Sequence, residues 1–159
     1  IRCDTNEYMM RTANMVMALL DIDYTEIFYL RKGYESVALE RAMEEALPEE
    51  LEQMHKILLK MDETVGIKES ADLDTQFHNI LLQASHNRLL NLYASMLSNL
   101  MDQFIKDFRS RILVDKRRAE ILRRSHWGIY NSLVEKDLKA GQEAVKRHFE
   151  VVEEQLKKY

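Results

Sequence analysis

Residues 122–156 read LRRSHWGIYNSLVEKDLKAGQEAVKRHFEVVEEQL. Leu122, Ile129 and Leu133 recur at helical spacing before Asp137, and Val145, Val152 and Leu156 do so after it, so the stretch is two amphipathic helices joined by a turn near Asp137. His126 lies eleven residues before Asp137 and His148 eleven after it. In an antiparallel helical hairpin, residues equidistant from the turn stand at one height, here roughly 16 Å up at 1.5 Å per residue. Both histidines fall in the apolar stripes, so the two imidazoles are expected to face each other inside the pair.

The rest of the chain extends the same pattern. Tyr8–Leu20 reads as a short helix, and Asp21 to Glu26 supplies capping residues for a second that runs to about Ala46. Pro48 ends it and opens a third helix carrying Glu49 and Glu50, which Gly66 closes. Ser70 is expected to cap a fourth helix with Leu73, Phe77, Ile80, Leu81 and Ala84 on one face, ending before Asn87. One long helix then runs from Asn87 to about Leu113, and Asp115 starts the helix that reaches Glu135. No stretch alternates with period two long enough to be a strand, and four Gly and one Pro in 159 residues are few. The expectation is an all-α antiparallel bundle of about six to seven helices, one domain over residues 1–159.

The composition narrows the function classes. A net charge of -4 with interspersed signs describes a soluble surface rather than one built to neutralise phosphates. The longest apolar run, Met15–Leu20, is too short for a membrane span, and no signal peptide opens the chain. The single Cys3 fits a cytoplasmic location. No glycine-rich phosphate loop, dinucleotide fingerprint or paired nucleophile and base stands out, so the chain is not expected to be an enzyme.

Asp74 and His78 are one helical turn apart and flank the apolar stripe of the fourth helix, where a carboxylate and an imidazole need a partner. With His126 and His148 they form a three-nitrogen, one-oxygen set from three helices, suited to Zn, Ni, Mn or Fe with positions left open. An ordinary core histidine would explain any one of them alone. The joint pattern favours a metal site, because His55 and His86 show no such pairing. Glu52 and His55 lack the second unit that a di-iron bundle needs. His86 suits a surface or capping role. Arg31 and Glu35 form either a helix ion pair or a carboxylate clamp, and Gly128 leaves room mid-helix for a ligand or a close helix.

At these residues the sequence resembles the FCD domain, the FadR C-terminal type effector-binding domain of GntR-family bacterial transcription regulators. Residues Phe28 to Glu35 resemble its early Arg-x-x-x-Glu helix, Asp74 to His78 its Asp-x-x-Phe-His motif, Ala84 to Leu90 its Ala-Ser-x-Asn-x-Leu-Leu, and His126 through His148 its closing histidine pair. The resemblance implies that Asp74, His78, His126 and His148 ligate a divalent metal, Zn first and Ni, Mn or Fe next. It implies a small carboxylate or hydroxy-acid effector oriented by Arg31 and Asn87, and a homodimer. DNA would be reached only through an N-terminal winged-helix domain, which nothing in residues 1–159 resembles. A metal-dependent hydrolase-like enzyme and a purely structural bundle are the alternative readings.

Overall fold

The computed structural model describes residues 5–158, and among these there are eight helices and no strand. They are α1 (Thr5–Leu19), α2 (Tyr24–Glu45), α3 (Pro48–Glu63), α4 (Ile67–Ala84), α5 (Arg88–Met96), α6 (Ser98–Ile112), α7 (Lys116–Glu135) and α8 (Leu138–Leu156). Cys3 lies outside the described residues. No helix is long and apolar enough to cross a membrane among the described residues.

Local chemistry sets most boundaries. The Asp23 carboxylate accepts the Thr25 and Glu26 N–H groups, while Glu26 accepts the Asp23 N–H, so both ends of a capping box open α2. Pro48 occupies the first turn of α3, and Asp115 and Asp137 cap α7 and α8. Between the last two helices Lys136 takes a left-handed conformation, and the Asp137 N–H reaches back to the Ser132 carbonyl at 2.9 Å.

Three sequence expectations change. Gly66 does not close α3, whose C-cap is Thr64; it is the N-cap of α4. Ser70 is therefore one turn inside α4 and buried rather than capping. The long helix expected from Asn87 to Leu113 is broken at Leu97, whose backbone leaves the helical region at φ -97 and ψ 1. No proline or glycine marks the break. Leu97 is buried, and beyond it Phe104, Ile105, Phe108 and Ile112 of α6 turn into the core, whereas α5 packs chiefly on α1 and buries no residue.

Among the described residues, α7 and α8 make the most extensive helix-to-helix contact. A Cβ placed on Gly128 would come within 2.9 Å of Ala144 Cβ, and one on Gly141 would meet Ser132 Oγ at 2.6 Å. Gly128 thus serves a close helix, the second of its two expected roles. The hairpin is drawn in far enough for side chains from both helices to meet on one polar cluster.

Candidate functional site

That cluster lies inside the bundle. His78 of α4, His126 of α7 and His148 of α8 each offer a ring nitrogen within 4.8 Å of the others. His126 and His148 face each other with ring centres 4.7 Å apart, as the symmetry about Asp137 requires. Asp74 joins them, its Oδ1 3.1 Å from His126 Nε2 and its Oδ2 3.9 Å from His78 Nε2. All four are buried.

Neighbouring groups fix how the rings present their nitrogens. The Ser125 hydroxyl donates to the Leu122 carbonyl at 2.6 Å, so its oxygen accepts from His148 Nδ1, 3.3 Å away. The proton on Nδ1 leaves His148 Nε2 with a free lone pair, and that atom is buried with no hydrogen-bond partner. His78 Nδ1 lies 2.7 Å from Glu35 Oε2, at an angle outside a hydrogen bond, which favours the same tautomer. His78 Nε2 then faces His126 Nε2 at 3.2 Å. An imidazole whose far nitrogen is held by a carboxylate or hydroxyl is oriented as metal-ligating histidines are.

Electrostatics keep the donors in ligating form. Burial pushes His126 down to about 4, with Asp74 opposing part of the shift, and burial together with the other two imidazoles pushes His148 well down. Burial alone would raise Asp74, but Arg109, His78 and His126 hold its carboxyl well below the usual range. Two neutral imidazoles and a carboxylate at neutral pH are what a divalent ion of intermediate softness binds. The orphaned His148 Nε2 and this donor set fit such an ion.

Arg31 also reaches the cluster, buried and bound to Glu35 through Nε at 2.6 Å, with Nη2 3.6 Å from Asp74 Oδ2. Asn87 does not. Its side chain caps α5 by accepting the Leu90 N–H at 3.1 Å, it is exposed, and it lines neither cavity beside the histidines. His86 takes a left-handed conformation just past α4, with its ring on Glu50. His55 packs on Tyr130 and Trp127.

Arg109 of α6 is the residue that sequence reasoning missed. It donates from Nη1 to Asp74 Oδ1 at 2.6 Å and from Nε to Ser70 Oγ at 2.7 Å, and its side chain is only 8% exposed. A signal was present, since Arg109 stands one turn after Ile105 and one before Ile112 on an apolar stripe.

Two small cavities touch the cluster. One of about 20 Å³ is lined by Arg31, Asp74, Arg109 and His148 with Phe104 and Leu122. The other, about 30 Å³, adjoins Glu35, Thr75, His78 and Asn79. Each has room for an ion or a water, not for an organic acid. Arg109 also lines an open groove of about 490 Å³, between the α3–α4 connection and the start of α7.

Comparison with known proteins agrees with this architecture. The family model described as FCD domain matches residues 26–151, a span containing every residue of the cluster. The chain is 29% identical over 143 residues to a protein of Bacillus subtilis (strain 168) described as an uncharacterized HTH-type transcriptional regulator, YdhC. The match covers 87% of this chain and 62% of that protein.

Proposed function

The chain belongs to the FCD domain family, and we propose that it is the effector-binding unit of a transcription regulator, holding a divalent metal and recognising a small organic acid beside it. The observation that carries the reading is the convergence of His78, His126 and His148, with Asp74 against two of them, in a buried pocket where His148 Nε2 has no partner. These four residues would hold the ion, with zinc first and nickel, manganese or iron next. When bound, the ion supplies Lewis-acid attraction for a carboxylate or hydroxyl oxygen.

The protein's own groups do the rest. Glu35 and Ser125 orient His78 and His148, Arg31 offers an arginine fork beside Asp74, and Phe104, Phe108 and Leu122 exclude water. Cavities of about 20 and 30 Å³ mean that an acid enters by displacing a wall, and α6 is the wall on the 20 Å³ cavity. Such a displacement is the kind of packing change that couples an effector site to a distant one. In the longer regulator, a homodimer of these units would bias DNA binding by winged-helix domains N-terminal to them. The relative's described role and its greater length support this reading.

A receptor accounts for the site better than a catalyst. Ser125, the hydroxyl nearest to behaving as a nucleophile, is buried and spends its proton on the Leu122 carbonyl. The test is metal content of the purified protein by mass spectrometry, with calorimetry for zinc and then for a panel of organic acids. One ion per chain is expected, lost in the double variant His126→Ala with His148→Ala. Undiminished metal in that variant, or no acid binding to metal-loaded protein, sinks the reading.

A further inference from the structure

Four charged groups meet around the histidines: Arg31 and Glu35 from α2, Asp74 from α4 and Arg109 from α6, none with a side chain more than 8% exposed. Two guanidiniums and two carboxylates cancel, and imidazoles that ligate a metal are neutral, so apart from the ion the metal-loaded cluster carries no net charge. A divalent ion adds two positive charges that no further buried side chain of the cluster offsets, and uncompensated buried charge is costly. A monoanionic acid leaves one of the two unbalanced. A dianionic acid balances both.

The placement of the guanidiniums gives the second carboxylate somewhere to go. Arg31 and Arg109 line the same 20 Å³ cavity as His148, and much of its remaining wall is apolar, with Phe104, Phe108 and Leu122. Arg31 Nη2 is buried without a hydrogen-bond partner. Arg109 is held in place by Asp74 and Ser70, and it lines both this cavity and the open 490 Å³ groove. Planar forks of this kind match carboxylates in geometry as well as charge. We propose that Arg31 and Arg109 are paired carboxylate forks flanking Asp74, and that the site selects a short dicarboxylate over a monocarboxylate. This rests on the metal-and-acid reading above, and it adds the charge class of the acid and names Arg109 as a specificity-determining residue.

The experiment is calorimetry of zinc-loaded protein at neutral pH with matched pairs, malate against lactate and succinate against propionate. The dicarboxylate of each pair is expected to bind tighter by roughly ten- to hundredfold, the worth of a charge-assisted pair. Arg109→Gln should narrow that gap most, because it removes both the charge and the fork, and Arg109→Lys should narrow it less, because it keeps the charge and loses the fork. The quantity read is the ratio of the two affinities within each pair, so a weakening common to both acids through Asp74 does not count. Zinc content of the same samples shows whether each variant keeps its metal site, and if Arg109→Gln does not fold, the wild-type pairs and Arg109→Lys decide. Equal affinity within each pair in wild type overturns the proposal, as does a gap of undiminished wild-type size in the Arg109 variants that fold. Failure of every acid to bind zinc-loaded protein overturns the reading beneath it, whereas binding without preference overturns the dicarboxylate assignment alone.

Discussion

The α7–α8 hairpin and the α5–α6 segment both serve the histidine cluster, and they are built in opposite ways. The hairpin is fixed through backbone: Gly128 against Ala144, Gly141 against Ser132, and a left-handed Lys136 closing the turn. The α5–α6 segment is fixed through side chains, broken at Leu97, with α5 burying nothing and α6 offering Phe104, Phe108 and Arg109 to the cluster. Two of the four donors, His126 and His148, sit on the stiff element. The wall that a ligand must push aside sits on α6, which is held by side-chain packing and joined directly to α5, a helix that buries no residue. Elements with few buried contacts are where low-energy opening is concentrated.

The sharpest way to break this contrast is to load and strip the metal. An ion bound only by the folded hairpin and α4 stabilises by mass action, about 4 kcal/mol at a free concentration a thousand times its Kd. Thermal unfolding should show a large rise with zinc that chelator abolishes, and hydrogen exchange should show the gain in α4, α7 and α8 rather than in α5. A zinc effect of equal size in the variant without His126 and His148 would locate the ion elsewhere.

Proton binding tests the same hairpin without metal. His126 is pushed by burial from an ordinary 6.5 to about 4, so between those values the unfolded chain binds a proton that the folded chain does not. Stability of metal-free protein is therefore complete above about pH 6.5 and falls as pH drops toward 4, by up to about 3 kcal/mol from His126 and by a further amount from His148, which burial also pushes well down. The depressed Asp74 and Glu35 carboxyls add their loss only as pH falls through and below their ordinary 3.8 and 4.5. Urea midpoints at pH 7 and 4.5 measure the first window. A flat response there, or one unchanged in His126→Gln, contradicts a buried neutral imidazole.

The sequence was readable where local chemistry decides the outcome. Asp23, Asp115 and Asp137 cap helices because a carboxylate before an apolar run satisfies free N–H groups, and the spacing of His126 and His148 about Asp137 gave their meeting. It was unreadable where packing between distant segments decides. Ser95, Ser98 and Asn99 beside Leu97 are weak helix formers but common inside helices, and what accompanies the break is the burial of Leu97 and the turning of Phe104 and Phe108 inward. Ser70 looked like a cap because serine usually is one, but its hydroxyl is spent on Arg109, thirty-nine residues away. Arg109 escaped notice because its meaning depends on Asp74 across the core.

Two glycines compare the tight hairpin with an open surface. Gly128→Ala forces a methyl against Ala144 and should cost about 1 kcal/mol net, overpacking outweighing the gain in helix propensity. It should also weaken zinc binding by separating His126 from His148. Gly33→Ala in α2 meets nothing within 4 Å and should stabilise by up to about 1 kcal/mol without touching zinc affinity. If both changes act alike in chemical denaturation, close backbone approach is not what stiffens the hairpin.

Asn87 probes the other region, at the start of α5. Its Oδ1 is engaged by the Leu90 N–H, so it serves the helix and not the cluster. Asn87→Ala should cost about 1 kcal/mol as a lost cap, leaving zinc and acid affinities of the folded protein as they were. Asn87→Asp keeps a capping oxygen and adds a negative charge, so it should restore the stability. An acid contact would reverse this ordering, because the carboxylate would repel the ligand and weaken its binding more than alanine does. Acid affinity falling from wild type to alanine and further to aspartate would therefore return Asn87 to the binding site and show that α5 swings inward when the acid arrives.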